Sequence, residues 1–171
     1  VWVLLDALNE IGLGPEDISD IFMTHLHPDH MGGAINENGS AIFANANLKL
    51  LQEEHNYWTT KSFSSDEING KDWSNLAKKV LSAYGERLEL LSNNADIISG
   101  VSIIPLPGHT PGHAGFRVDD GNESMFHMGD IIHVPKLQLK DPNICTLFDV
   151  DAESALKSRK YALDMATRDN L

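Results

Sequence analysis

The stretch Thr24-His25-Leu26-His27-Pro28-Asp29-His30-Met31-Gly32-Gly33 (THLHPDHMGG) decides how the chain is read, because four metal-ligand side chains fall within six positions. It follows a short β-favouring run, Asp20 to Thr24 (DIFMT), so the polar residues concentrate where a strand gives way to a loop, the usual place for function. Imidazoles at alternate positions of an extended segment project to one side, so His25 and His27 can address one ion. Pro28 then turns the chain and presents Asp29 and His30 in another direction, where a second ion can sit. A loop of merely solvated histidines explains this spacing poorly.

Two further clusters lie downstream. LPGHTPGH places His109 and His113 in a turn after a second β run, with Gly108 and Gly112 allowing close backbone approach. FHMGD ends a third run with Asp130. Imidazole and carboxylate ligands suit zinc, manganese or iron, and Cys145, the sole cysteine, excludes a closed thiolate zinc site.

Composition narrows the partners. Thirteen Lys and Arg stand against 25 Asp and Glu in 171 residues, a formal charge of −12, too few cations to build a nucleic-acid grip. No apolar run reaches the roughly 20 residues of a bilayer span, so a small molecule is the expected partner rather than nucleic acid or membrane.

The expected elements give a mixed α/β (α+β) layered domain. Residues 1–14 read as an amphipathic helix stopped by Gly12 and Gly14, followed by the Asp20–Thr24 strand and a second strand over Ala41–Ala44. Helices over Ala46–Tyr57 and Trp73–Tyr84, joined by the polar linker TTKSFSSDEING, form a helical insertion around 46–85. Runs at Arg87–Leu91, Val101–Leu106, Gly115–Val118 and Ser124–Met128 read as strands, with Asp120-Gly121 a hairpin turn, and Asp151 caps a last helix reaching Arg168. His55, Glu53 and the acidic run at Asp149 read as solvated faces or caps, His127 as a core or interface residue, and Cys145 as inert.

In the order of its ligand motifs the sequence resembles the metallo-β-lactamase superfamily of dinuclear hydrolases. The resemblance implies that His25, His27 and His109 hold one metal, that Asp29 and His30 hold the second, and that Asp130 bridges both. It makes His113 a support for the turn. It also implies an αββα sandwich over residues 1–171, present as a fragment: the family's opening block of strands, and the histidine that completes the second metal site after the last helix, have no counterpart here.

Within the family, His27 stands where the di-iron flavoproteins carry Glu, and true β-lactamases lack an aspartate at the Asp130 position. GDIIHVPKLQLKDPN followed by DVDAESALKSRKYALDMA is most similar to the methyl parathion hydrolase-like and lactonase members. The resemblance therefore implies a metal-dependent hydrolase that uses a dinuclear metal-bridged hydroxide on small esters, lactones or phosphotriesters, with two divalent ions, zinc first and manganese or iron as substitutes. Asp29 and His133 are its candidate catalytic side chains, Asp29 orienting water and passing a proton, and His133 reaching the substrate's carbonyl. Trp58, Phe63 and Trp73 would line an aromatic leaving-group pocket or simply belong to the core. A glyoxalase II-type thioesterase and a non-catalytic metal-binding module are the alternatives. An RNase Z-type nuclease is disfavoured by the charge, and a homodimer is compatible with the family. No compartment follows from the residues.

Overall fold

A computed structural model of the chain describes residues 2–65 and 67–171. Val1, the start of the expected first helix, and Asp66, within the polar linker, lie outside the described residues. The helices are α1 (Trp2–Glu10), α2 (Pro28–Met31), α3 (Gln52–Thr60), α4 (Lys71–Tyr84), α5 (Pro135–Gln138) and α6 (Ala152–Asp169). The strands are β1 (Asp20–Phe22), β2 (Asn47–Leu51), β3 (Leu88–Leu91), β4 (Asp96–Ile98), β5 (Val101–Pro105), β6 (Ala114–Asp119) and β7 (Ser124–His127). The chain divides into two compact units, the first Val1–Leu50 with Trp58–Leu90, the second Leu51–Tyr57 with Leu91–Leu171.

In the first unit a three-stranded sheet runs in the order β1-β2-β3, with β1 and β2 parallel and Ile21 opposite Leu48. The Met23 amide still donates to the Lys49 carbonyl, 2.8 Å away, so extended backbone carries on to the threshold of His25. His27 is the residue before α2 and Pro28 its first helical position, where a missing amide costs nothing. α4 buries Ala77, Val80, Leu81 and Tyr84, the i, i+3, i+4, i+7 stripe of an amphipathic helix. The Tyr84 hydroxyl donates to the Ala34 carbonyl at 3.0 Å and so ties that helix to the segment after α2.

The expected strand at Ala41–Ala44 is absent: only a single bridge, Ile35 to Ala41, forms there. The strand lies instead at Asn47–Leu51, inside the stretch whose pattern predicted a helix, and α3 starts only at Gln52. Pairing decides it. Leu48, Leu50 and Leu51 are buried there, and Lys49 reaches the Asp20 carboxylate at 2.7 Å and Glu89 at 3.6 Å, so tertiary contacts override local helix preference. β4 was not foreseen either; only three residues long, it carries too little pattern to register.

The second unit holds an antiparallel meander in the order β4-β5-β6-β7. β6 and β7 pair from Phe116–His127 to Asp119–Ser124, and the turn between them contains Asp120 and Gly121, the latter at φ +92°, as the hairpin signal predicted. Asp151 caps α6 by accepting from the amides of Glu153 and Ser154. Leu106, Ile131, Ala155 and Ala162 form a buried cluster in this unit. Among the described residues no helix is long and apolar enough to cross a membrane.

The Asp20–Lys49 pair stitches β1 to β2. Its hydrogen bond from Lys49, helped by Ser19, holds the Asp20 carboxyl below its usual range, and the same bond raises the Lys49 ammonium. A carboxyl lowered on folding stabilises above its unfolded pKa, and that contribution is lost as pH falls through the folded one. Asp20→Asn is therefore expected to cost about 1–2 kcal/mol at pH 7 in urea unfolding. Its deficit against wild type should shrink as pH drops below about 4.

Candidate metal centre

The donors occur in two sets, one in each unit. In the first unit, the turn from β1 into α2 gathers three imidazoles. His25 and His27 are buried, with ring centroids 4.6 Å apart and planes nearly perpendicular, and His30 lies 4.1 Å from His25. His25 Nδ1 lies 3.1 Å from the Thr24 hydroxyl, which makes Nε2 its candidate ligating atom. Asp29 is the outlier: its side chain is 78% exposed, and an oxygen lies 3.6 Å from His30 Nε2. The Asp29 carboxylate thus faces water beside His30 rather than joining the buried pair.

The aromatic candidates pack around His27. Trp73 lies 5.1 Å from its ring and Trp58 5.8 Å, both edge-on, while Phe63 stacks on Trp58 at 5.2 Å. Trp58 is fully buried, so it belongs to the core and walls the ligand loop. Its carbonyl accepts from the Ser74 hydroxyl at 3.0 Å, fixing it to α4.

In the second unit the GHTPGH turn gives its two histidines opposite tasks. His113 is buried with both nitrogens engaged: Nδ1 donates to the Leu106 carbonyl at 2.9 Å, and Nε2 accepts from the Asp130 amide at 2.9 Å. That arrangement fixes a neutral tautomer with no lone pair left for a metal, and makes His113 the brace that sets Asp130. His109 differs. Its Nδ1 meets the Asp149 carboxylate at 3.0 Å, and its Nε2 faces Asp130, 3.8 Å from Oδ2. His133 Nε2 also approaches that Asp130 oxygen, at 3.4 Å, with its ring 4.7 Å from His109. His109, His133 and Asp149 offer ligand atoms within 4.8 Å of one another.

Asp149, expected on a solvated face or as a cap, has a wholly buried side chain. Burial pushes its carboxyl up, but the hydrogen bonds from His109 and the Thr146 amide, with the charges of His109 and Arg159, outweigh that and leave it below the ordinary value. Glu54 corrects the reading of the acidic run beside Glu53 in the same way. It is fully buried, accepting from the Thr110 hydroxyl at 2.5 Å and the Gly112 amide at 3.2 Å, and so clamps the ligand turn to α3. No sequence signal separates Glu54 from Glu53 beyond the helical face each takes. His127, expected in a core or interface, is exposed and stacked on Phe116. His55, expected to be solvated, is half-buried.

A donor set of imidazoles and carboxylates in and beside buried turns fits divalent zinc-like ions. The glycines that shape one turn are fixed by contact. A Cβ on Gly112 would stand 2.0 Å from the Glu54 nitrogen, and one on Gly108, at φ +132°, 2.0 Å from the Ala155 nitrogen. Gly112→Ala should therefore lose at least about 3 kcal/mol in chemical denaturation or yield no folded protein. Gly32→Ala, whose Cβ meets nothing within 4 Å, should stay near wild type.

The chain is similar to known proteins. The chain is 27% identical over 139 residues to a probable metallo-hydrolase of Mycobacterium tuberculosis, covering 74% of this chain and 41% of that protein. It is 27% identical over 116 residues to an N-acyl homoserine lactonase of a Bacillus species, covering 68% of this chain and 39% of that one. Among solved structures it superimposes on AidC, a dizinc quorum-quenching lactonase, with a TM-score of 0.86 at 28% identity, over 95% of this chain and 58% of AidC. The hydrolase AbOPH follows at 0.79 and 28%, over 91% of this chain and 55% of that one. The chain thus spans about two-fifths of the curated relatives it matches. The metallo-β-lactamase superfamily model matches residues 2–169, and with the fold and the donor turns in place the chain belongs to that superfamily.

Proposed function

We propose that this chain carries the metal-binding core of a metal-dependent hydrolase acting on small esters, lactones or phosphotriesters, with a lactone as the first substrate to test. One observation carries the reading: buried His25, His27 and His109, with half-buried His30 and Asp130, stand at the ends of β1, β5 and β7, each candidate turn fixed by its own partners. In this reading His25, His27 and His109 hold one ion, Asp29 and His30 hold the other, and Asp130 serves both. The lactonase and hydrolase neighbours support the substrate class.

Two divalent ions would supply a hydroxide nucleophile near neutral pH and polarise the substrate's oxygen. The protein's own residues do the rest. Asp149 holds His109 by Nδ1, so Nε2 is the nitrogen offered. His113 holds the Asp130 amide, which sets where that carboxylate starts. Among the described residues His133 Nδ1 has no hydrogen-bond partner, although buried, and the His133 side chain offers a donor for the carbonyl oxygen of an entering ester. Asp29, the exposed carboxylate, would orient water and hand a proton to the leaving group.

Reconstitution with zinc or manganese, followed by turnover of a lactone, a phosphotriester and a glutathione thioester, tests the assignment. The lactone or phosphotriester should be preferred, and preference for the thioester would move the protein to the glyoxalase II type. Metal bound without turnover of any of them would make it a binding module. Chelation should abolish turnover and lower the melting temperature, since ions that bind only the folded state stabilise it.

Two substitutions separate ligand from brace. His109→Ala should lose bound metal by mass spectrometry, whereas His113→Ala should still take up metal, about 10–100-fold more weakly, while losing about 2 kcal/mol of stability through the unpaired Leu106 carbonyl and Asp130 amide. Asp29→Asn with full metal content and an unchanged pH–rate profile would remove Asp29 from proton transfer.

A further inference from the structure

Arg159, on α6, is the largest buried cation of the second unit, with no exposed surface. Its guanidinium makes contacts in three directions. Nε donates to the Ile131 carbonyl at 2.7 Å, one residue past Asp130. Nη1 donates to the carbonyls of Pro142 at 2.7 Å and Ile144 at 2.8 Å. Nη2 lies 3.5 Å from Asp149 Oδ2, an ion pair rather than a short hydrogen bond, while the other oxygen of that carboxylate receives His109.

The Ile144 carbonyl is shared. It also accepts from Gln138 Nε2 at 3.0 Å, and the Oε1 of that buried amide takes the backbone amides of His133 and Val134 at 2.7 and 2.8 Å. Three of these contacts therefore end, within one or two steps, on a segment bearing a side chain of the proposed site: Asp130 through Ile131, His109 through Asp149, His133 through Ile144 and Gln138.

We propose that Arg159 is a positioning residue for the metal centre, one buried guanidinium that fixes the relative placement of His109, Asp130 and His133. A buried charge is costly unless it is paired and hydrogen-bonded, and here Nε and Nη1 donate to backbone carbonyls of the loop after Asp130 while Nη2 faces the carboxylate behind His109. Arginine suits this because its planar fork directs several donors at once in fixed geometry, which an ammonium cannot do. The role rests on the hydrolase reading above for its consequence in catalysis, but the geometry that it controls can be measured without turnover.

The experiment compares cobalt(II) binding, by visible d–d spectrum and chelator competition, in the wild-type protein, Arg159→Lys, Arg159→Met, Asp149→Asn and the double variant Arg159→Lys with Asp149→Asn, each checked for folding by circular dichroism. Metal-free samples are examined in parallel by ¹⁵N–¹H spectra of the imidazoles. Folded Arg159→Lys should bind cobalt about 10–100-fold more weakly with shifted d–d bands, as loss of support behind a ligand does. Its His109 should lose the single Nδ1–H tautomer that Asp149 imposes. The arginine substitution should weaken binding further in the Asp149→Asn background, since the route through Ile131 is independent of His109.

A folded Arg159→Lys with a lower melting temperature but unchanged cobalt affinity, spectrum and His109 tautomer overturns the proposal and leaves Arg159 a structural residue. If Arg159→Met does not fold, the lysine variant decides alone. Wild-type protein that binds two cobalt ions yet hydrolyses nothing overturns the hydrolase reading while the arginine comparison still stands. Wild-type protein that takes up no cobalt overturns both.

Discussion

The carboxylate of Asp149 against Nδ1 of His109 is the contact on which the second unit's donor set depends. An imidazole has two nitrogens, and it ligates through one only if the other is told what to do. At His109 a buried anion engages Nδ1 and Nε2 turns towards Asp130. At His113, four residues on, the Leu106 carbonyl and the Asp130 amide take both nitrogens, and the same residue type becomes a strut. One short turn thus makes a candidate ligand and a brace from identical side chains, the difference lying wholly in what stands behind each ring.

That division of labour requires the turn to be pressed against its neighbours. Gly108 lies where any Cβ would strike the start of α6, and Gly112 where it would strike α3 at Glu54. The backbone adds to the clamp: the Gly108 and His109 carbonyls accept from the amides of Asp151 and Val150. Asp149 reaches His109 because the next two residues are pinned to that turn. The glycines therefore serve the chemistry through packing, by bringing the chain close enough for a short acid to meet a ring.

The donor types were legible because chemistry at strand ends leaves a dense local signature: His25 and His27 come together as their spacing implied, His30, expected to face another way, lies 4.1 Å from His25, and His109 meets Asp130 in the second unit. What stands behind the ligands was not legible. Glu54 and Asp149 sit in acidic runs whose composition reads as solvated, and only the helix face or loop path sends one acid inward. The strand at Asn47–Leu51 was hidden for a related reason. Its sequence satisfies a helix locally, and the Asp20 and Glu89 partners of Lys49 lie 29 and 40 residues away in sequence. Hairpin turn and helix cap, by contrast, are decided within four residues, and Asp120-Gly121 and Asp151 do what the sequence implied.

The acidic surplus of the chain sharpens the role of its few buried cations. Lys49 and Arg159 are both buried and both face an aspartate, yet they do different work. Lys49 puts one compact charge between carboxylates on neighbouring strands, a junction in which direction matters little and which water still touches. Arg159 has no exposure, and its nearest contacts are carbonyls rather than the carboxylate. A point charge there could face Asp149 or tie the loop, but could not hold both in fixed geometry. The fork does both, and that is the physical reason to place arginine, and not merely a positive charge, behind the donors of this unit.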